Sequence, residues 1–168
     1  MNETLNIGYA CSGLQVERGL GQKTALRWVT PRLERQEFSY QQLDEASNRF
    51  ANALLSAGLA APQRVFLFLP RTPEVYSAFL GILKAGLVCG ALFSSFGPEA
   101  LWDRLADSAA SAVITNQKSL RKIEEIWPRL PALRRVFVID APVHASDRVL
   151  SLPVLLAEAS PRFTAVPV

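Results

Sequence analysis

The sequence predicts an α/β fold, a doubly wound parallel sheet with helices on both faces. Three observations carry that expectation. Residues 64–69 and 87–93 are short apolar runs, unbroken from Val65 to Leu69, and a strand apolar on both faces belongs inside a parallel sheet covered by helices. The residues between them read as a helix: Thr72 stands at the cap, Pro73 at the first position where a missing N–H costs nothing, and Gly86 just past the end. Val75, Ala78, Phe79, Ile82 and Leu83 share one face of it. Strands and helices of βαβ length then alternate as far as Asp140.

The elements follow in chain order. Residues 5–14 carry a weak helical pattern through Leu5, Ala10 and Leu14, interrupted by Gly8. Residues 24–30 and 37–39 read as two short strands about a polar turn at 31–36. Ser39 opens the best-marked helix. With Gln42 it makes a capping box, and Phe38 and Leu43 occupy the positions of a hydrophobic staple. Its apolar stripe runs from Leu43 to Ala57, and Gly58 ends it. After Phe93 a turn at 94–97 leads to a helix begun by Pro98, with Ala100, Leu101, Leu105 and Ala109 inward. Residues 111–115 are a strand, about 118–127 a helix stopped by Pro128 and Pro131, and 135–139 a further strand closed by Asp140. Residues 142–148 read as a loop, 150–159 as a short helix, and 163–168 as an apolar, uncapped tail.

A chain of 168 residues suits one domain and buries roughly 68–70% of its unfolded surface without staples. No apolar run approaches the roughly 20 residues of a membrane span, and residues 1–13 lack the basic leader and apolar core of a signal peptide. Cys11 and Cys89 are therefore expected to be free thiols of a cytoplasmic protein, Cys89 inside a strand. The net charge of +3 comes from 18 basic and 15 acidic residues spread along the chain, whereas nucleic-acid binders concentrate their charge. Lys118, Arg121 and Lys122 form a local basic cluster, but Glu124 and Glu125 interrupt it, as on a solvated helix face. Neither a nucleic acid nor a membrane is expected as a partner.

Ligands of open parallel sheets bind beyond the carboxyl ends of the strands. Here those ends are residues 70–72, 93–99, 115–118 and Asp140. The loop after Phe93 is the most suggestive, because two serines and a glycine bring hydroxyls and N–H groups to the start of a helix; a plain turn at Gly97 and Pro98 explains the same residues. His144, the only histidine, lies in a polar loop, so neither a nucleophile–histidine pair nor a histidine metal site is expected. Asp103 and Asp107 read as solubilising residues. All nine glycines lie at or before Gly97, and no Gly-rich loop ending in Lys-Ser or Lys-Thr occurs.

Several stretches together, LNIGYACSG at Leu5, TALRW at Thr24, FSYQQLDEASNRFANALLSAGL from Phe38, RVFLFLPRTPEVYSAFLGILKAG from Arg64 and FSSFGPEALWDRLADSAASAVIT from Phe93, resemble the N-terminal part of AMP-forming acyl-CoA synthetases. The acetyl-CoA synthetase branch is the most similar. The resemblance implies part of the large N-terminal domain of the adenylate-forming fold, with 1–36 an N-terminal extension, 37–140 a βαβ core and 141–168 a linker into a missing part. Such enzymes are several times longer. They activate a carboxylate with MgATP to an acyl-adenylate, then transfer the acyl group to CoA. The resemblance places their Ser/Thr/Gly-rich phosphate loop, ribose-binding aspartate and adenylation lysine downstream of the matched part, so no catalytic or metal-binding residue is expected in this chain.

By the same resemblance, Phe93, Ser94, Ser95 and Arg121 match positions that hold the nucleotide end of CoA. The family commonly has two glycines where Ser94 and Ser95 stand, and a second arginine where Glu124 stands. The implied parent is an acetate or short-chain acid–CoA ligase, with the chain alone inactive. Exposed apolar surface at 163–168 and along one sheet edge is expected to cause self-association or a loose tail. The rival readings are a stand-alone domain that binds a nucleotide or CoA, and a non-catalytic interaction domain.

Overall fold

The computed structural model describes residues 5–30 and 32–167. Two short helices, α1 (Ile7–Ala10) and α2 (Gly13–Gln15), and a π-helical turn over Val16–Leu20 take the place of one N-terminal helix. The break falls at Ser12, whose hydroxyl donates to the Gly8 carbonyl at 2.8 Å. An antiparallel hairpin follows, β1 (Thr24–Val29) with β2 (Arg35–Ser39). Pro31 of the predicted turn, like Val168 of the tail, lies outside the described residues. β2 runs straight into α3 (Tyr40–Ser56) through the predicted capping box: Gln42 N–H donates to Ser39 Oγ, and Ser39 N–H to Gln42 Oε1. Gly58 terminates the helix at φ +87°, a conformation that costs glycine little.

The rest is a five-stranded parallel sheet wrapped in helices. In chain order it comprises β3 (Arg64–Leu67), α4 (Pro73–Lys84), β4 (Val88–Ala91), α5 (Pro98–Asp107), β5 (Ala112–Thr115), α6 (Gln117–Ile126), β6 (Arg135–Val138), β7 (Val149–Ser151) and α7 (Leu152–Glu158). The strand order is β4-β3-β5-β6-β7. Alternation divides the strand residues between two cores. Val65, Leu67, Ala112, Ile114 and Phe137 face α3, α4 and α7. Phe68, Val113, Val136 and Val138 face α5 and α6. This is the doubly wound sheet with helices on both faces that the apolar runs predict.

Several expectations change. β4 is an edge strand, paired only with β3, and Val88 and Ala91 are exposed. The buried Leu87 and Leu92 flank it and make the run look like a central strand. Phe79 is also exposed, because α4 buries Ala78, Leu80, Gly81, Ile82 and Lys84 instead. Close contact on two sides sets that face: a Cβ on Gly81 would lie 2.5 Å from Phe50 Cβ of α3, and one on Gly8 of α1 would lie 2.6 Å from the Leu80 carbonyl oxygen. Thr72 holds the cap position of α4 without a side-chain hydrogen bond, and its Oγ1 is buried without a partner. Ala109 does not face inward. It follows the end of α5 with φ +47°.

The sheet also runs on past Asp140. Three-residue β7 pairs with β6, and His144 Nδ1 accepts the Ser151 N–H at 2.9 Å beside it. The tail is held by amide and guanidinium groups. Asn48 donates to the Pro161 carbonyl, Asn52 to those of Ser160 and Arg162, Asn6 to that of Val166, and Arg49 to those of Leu156 and Ala159.

Candidate functional site

The crevice of an open sheet opens where neighbouring strands send the chain to opposite faces. Here that happens between β3 and β5: from β3 the chain runs by α4 to β4 on one side, and from β5 by α6 to β6 on the other, with α4 and α6 on opposite faces. Residues 92–97 follow the carboxyl end of β4, the edge strand on the far side of β3.

These residues form a braced turn. Phe96 N–H donates to the Phe93 carbonyl at 3.0 Å, with Ser94 and Ser95 exposed at the two central positions. Gly97 is the N-cap of α5 in extended conformation, and Pro98 follows at the first helical position. Phe93 is 74% exposed. Its ring meets that of Phe96 edge-to-face, centroids 5.5 Å apart at 86°, an orientation that aromatic quadrupoles favour. At that exposure Phe93 keeps ring surface free for a planar partner. Phe96 is fixed from two further sides: the Arg104 guanidinium lies 4.5 Å from its ring centroid, and Lys122 Nζ donates to its carbonyl at 2.9 Å. The Lys122 ammonium also sits 5.6 Å from the Phe68 ring centroid.

The neighbouring strand ends are committed to internal bonds. Thr115 Oγ1 donates to the Phe68 carbonyl at 3.0 Å, tying β5 to the segment after β3. Asn116 caps α6 by accepting the Ser119 N–H at 2.9 Å, and Asp140 Oδ1 accepts the Gln117 N–H at 2.7 Å. Two amides of the α6 N-terminus are thereby already satisfied.

The structure brings Phe93, Ser94 and Ser95 together, as adjacent residues of one turn. Arg121 stands apart. On α6 the buried residues are Ser119, Ile123 and Ile126, and at 3.6 residues per turn Arg121 falls nearly opposite them, toward solvent. No hydrogen bond, ion pair or ring stack ties it to the turn among the described residues. The cation that reaches the turn is Lys122. The sequence puts Lys122 on a solvated helix face, which its bond to the Phe96 carbonyl corrects, and gives Phe96 and Arg104 no role. Only the i, i+3 spacing of two phenylalanines across a predicted turn hints at their role.

The larger cavities lie elsewhere. One of about 490 Å³, bounded by Glu124, Trp127, Pro131 and Arg148, sits past the C-terminus of α6 and just before β7, at the amino ends of the strands. Another, of about 450 Å³, lies between Gln41 and Glu45 of α3 and Arg162 and Phe163 of the tail, and a smaller one of about 210 Å³ adjoins Tyr9, Asp44, Asn48 and Lys84 between the N-terminal segment and the tail. None of these is lined by the residues that follow the strands' carboxyl ends, and the turn is taken as the candidate site. Cys89, beside it in β4, is a free thiol that burial pushes up to about 12, so it is no ready nucleophile.

Residues 15–161 match the sequence profile of a family described as AMP-binding enzyme. Acetyl-coenzyme A synthetase of Bacillus subtilis (strain 168) is 32% identical over 148 residues, which cover 88% of this chain and 25% of that protein. The 3-hydroxypropionyl-coenzyme A synthetase of Sulfurisphaera tokodaii (strain DSM 16993 / JCM 10545 / NBRC 100140 / 7) is 33% identical over 118 residues, 70% of this chain and 18% of its own length. Among solved structures, an acyl-CoA synthetase of Brucella canis superposes with a TM-score of 0.83 at 30% identity, covering 96% of this chain and 29% of that one. The chain thus spans about a quarter or less of the length of these two synthetases. Profile, relatives and superposed fold agree, and the chain belongs to the AMP-binding enzyme family.

Proposed function

We propose that this chain is the N-terminal part of an acetate or short-chain acid–CoA ligase acting in the cytoplasm, and that residues 93–97 form part of its surface for the nucleotide end of CoA. The parent reaction joins a carboxylate to CoA at the expense of ATP, through an acyl-adenylate. The observation that carries the site is the exposed Phe93 ring on a braced turn at the carboxyl end of β4. An open aromatic face suits adenine, and stacking of this kind contributes about 1–3 kcal/mol per base. Ser94 and Ser95 bring hydroxyls to the same rim, and Arg121 offers an exposed guanidinium for a phosphate.

In a ligase of this kind the Mg²⁺ and the groups that preorganise charge on ATP are supplied by other parts of the enzyme. The isolated chain therefore forms no acyl-adenylate, and acetate-dependent pyrophosphate exchange on the purified chain is expected to stay at background. The exposed edge strand β4, with Val88 at 49% and Phe79 at 41% exposure nearby in sequence, supports self-association of the isolated chain.

Titration of CoA and 3′-dephospho-CoA against the parent chain, Phe93→Ala and Arg121→Ala tests the site. Phe93→Ala should weaken both ligands by about tenfold, the equivalent of about 1.4 kcal/mol. Arg121→Ala should erase the preference for CoA over the dephospho form. A parent chain that binds neither ligand, or a Phe93→Ala chain that binds both as the parent does, overturns the reading.

A further inference from the structure

We infer that Lys122 is a positioning residue for this nucleotide surface: its ammonium locks the 93–97 turn through the Phe96 carbonyl and so sets the angle at which Phe93 presents its ring. The inference rests on reading the surface as an adenine-nucleotide contact.

The contacts form a short chain of dependence. α6 is anchored by Ser119, Ile123 and Ile126 against the core, so the Lys122 backbone is fixed. Its ammonium, beside the Phe68 ring, donates to the Phe96 carbonyl. Phe96 carries the Arg104 guanidinium on its ring and meets Phe93 edge-to-face. Beyond the turn there is little else to hold it: Ser94 and Ser95 are exposed, and a Cβ on Gly97 would find nothing within 4 Å. Loss of the ammonium removes a charge-assisted bond across 26 residues of sequence and leaves the turn to its Phe96–Phe93 backbone bond, the Leu101 N–H on the Gly97 carbonyl and the packing of the Phe96 ring. The two adjacent cations on α6 thus have different tasks. Arg121 is free for the ligand, and Lys122 is committed to the backbone beneath the aromatic pair.

That division makes a distinctive pattern. A phosphate partner changes the ratio of CoA to dephospho-CoA affinity. A residue that only aims the ring changes both by the same factor and leaves pantetheine, which has no adenine, untouched.

The experiment uses the 168-residue chain with Lys122→Met, which keeps the apolar stem, and Lys122→Arg, which keeps a charged donor. Amide exchange at Phe96 is measured without ligand, and CoA, dephospho-CoA and pantetheine are then titrated. Lys122→Met should speed Phe96 exchange about tenfold, as expected for loss of one charged hydrogen bond. It should weaken CoA and dephospho-CoA equally, by about tenfold, leave pantetheine unchanged, and be rescued by arginine. Should the methionine variant not fold, Lys122→Gln, whose amide is too short to reach the carbonyl, should give the same pattern. The inference is overturned if Phe96 exchange and adenine-ligand affinity stay at the parent's values, if pantetheine weakens equally, or if the CoA to dephospho-CoA ratio falls. A parent chain that binds none of the ligands defeats the nucleotide reading alone. Exchange at Phe96 then still decides whether Lys122 holds the turn.

Discussion

Replacing Asp44 by asparagine should cost the fold more than removing the lysine it serves. Lys84 is 1% exposed, and its Nζ donates to Asp44 Oδ1 at 2.6 Å, Ser47 Oγ at 2.8 Å and Asn48 Oδ1 at 2.7 Å. Asp44 is the only counter-charge in that set, and its side chain is 17% exposed. Asp44→Asn leaves a dry ammonium with neutral partners. Removing one partner of a buried pair costs about 3–5 kcal/mol, and the remaining acceptors, Ser47 Oγ, Asn48 Oδ1 and the main-chain carbonyl of residue 44, put this case near the lower end. Lys84→Met fills similar volume and leaves a carboxylate that still meets water and Asn48 Nδ2 at 3.0 Å, so about 1–2 kcal/mol is expected. The double variant should be more stable than Asp44→Asn alone.

Urea unfolding followed by far-UV circular dichroism, at unchanged m-value, measures all three. Burial sets the folded-state pKa of Lys84 below its ordinary 10.5, against the opposing pull of Asp44. Between the folded and unfolded values the unfolded chain holds the extra proton, so stability climbs as pH rises through that window, and the penalty is full below it. Asp44→Asn removes the group that opposes the shift and widens the window downward, so its deficit should shrink as pH rises toward the ordinary 10.5. A loss under about 1 kcal/mol for Asp44→Asn, or a double variant worse than that single one, would refute the account.

Gly81→Ala should destabilise by about 1–3 kcal/mol, since its Cβ would meet Phe50 Cβ at 2.5 Å and the Ser47 carbonyl oxygen at 2.7 Å. Gly97→Ala, with open space around it, should stay within about 0.5 kcal/mol of the parent in the same unfolding assay. A disulfide reagent at mildly alkaline pH should titrate Cys11 in the native chain and reach Cys89 only after unfolding, because burial pushes that thiol up to about 12; two fast thiols would contradict the packing of β4. The Arg129 hydrogen bond holds Glu99 below its ordinary 4.5, so its contribution is present above that value and is lost as pH falls through the folded one. Carboxyl ¹³C titration should show Glu99 moving back toward 4.5 in Arg129→Gln, and an unmoved Glu99 would mean that the pair does not form in solution.

What the sequence discloses is mostly local. Ser39 and Gln42 announce their capping box within four residues, Gly58 and Gly86 adopt the positive φ that helix ends require, and the runs about Val65 and Val113 alternate between two cores as a parallel sheet demands. What it conceals depends on distant pairing. Nothing near Val88 tells an edge strand from a central one. Nothing near Lys84 names Asp44, forty residues earlier, as its partner. β7 is three residues long and needs β6 beside it to be a strand at all. At the site, Phe93 stands out as an aromatic ring at a strand end, but whether Arg121 or Lys122 turns toward it depends on which side of α6 meets the sheet.

The tail carries a consequence of its own. Asn6, Asn48, Asn52 and Arg49 all donate to main-chain carbonyls, from Leu156 to Val166, and to no side chain of that segment. Carbonyls are common to all residue types, so these bonds recognise the path of the chain, while Phe163, packed on the core, and buried Ala165 add a side-chain requirement. Mutation is therefore free at the outward positions and constrained elsewhere: exposed Ser160, Arg162 and Thr164 can drift, whereas the donors on α3 cannot.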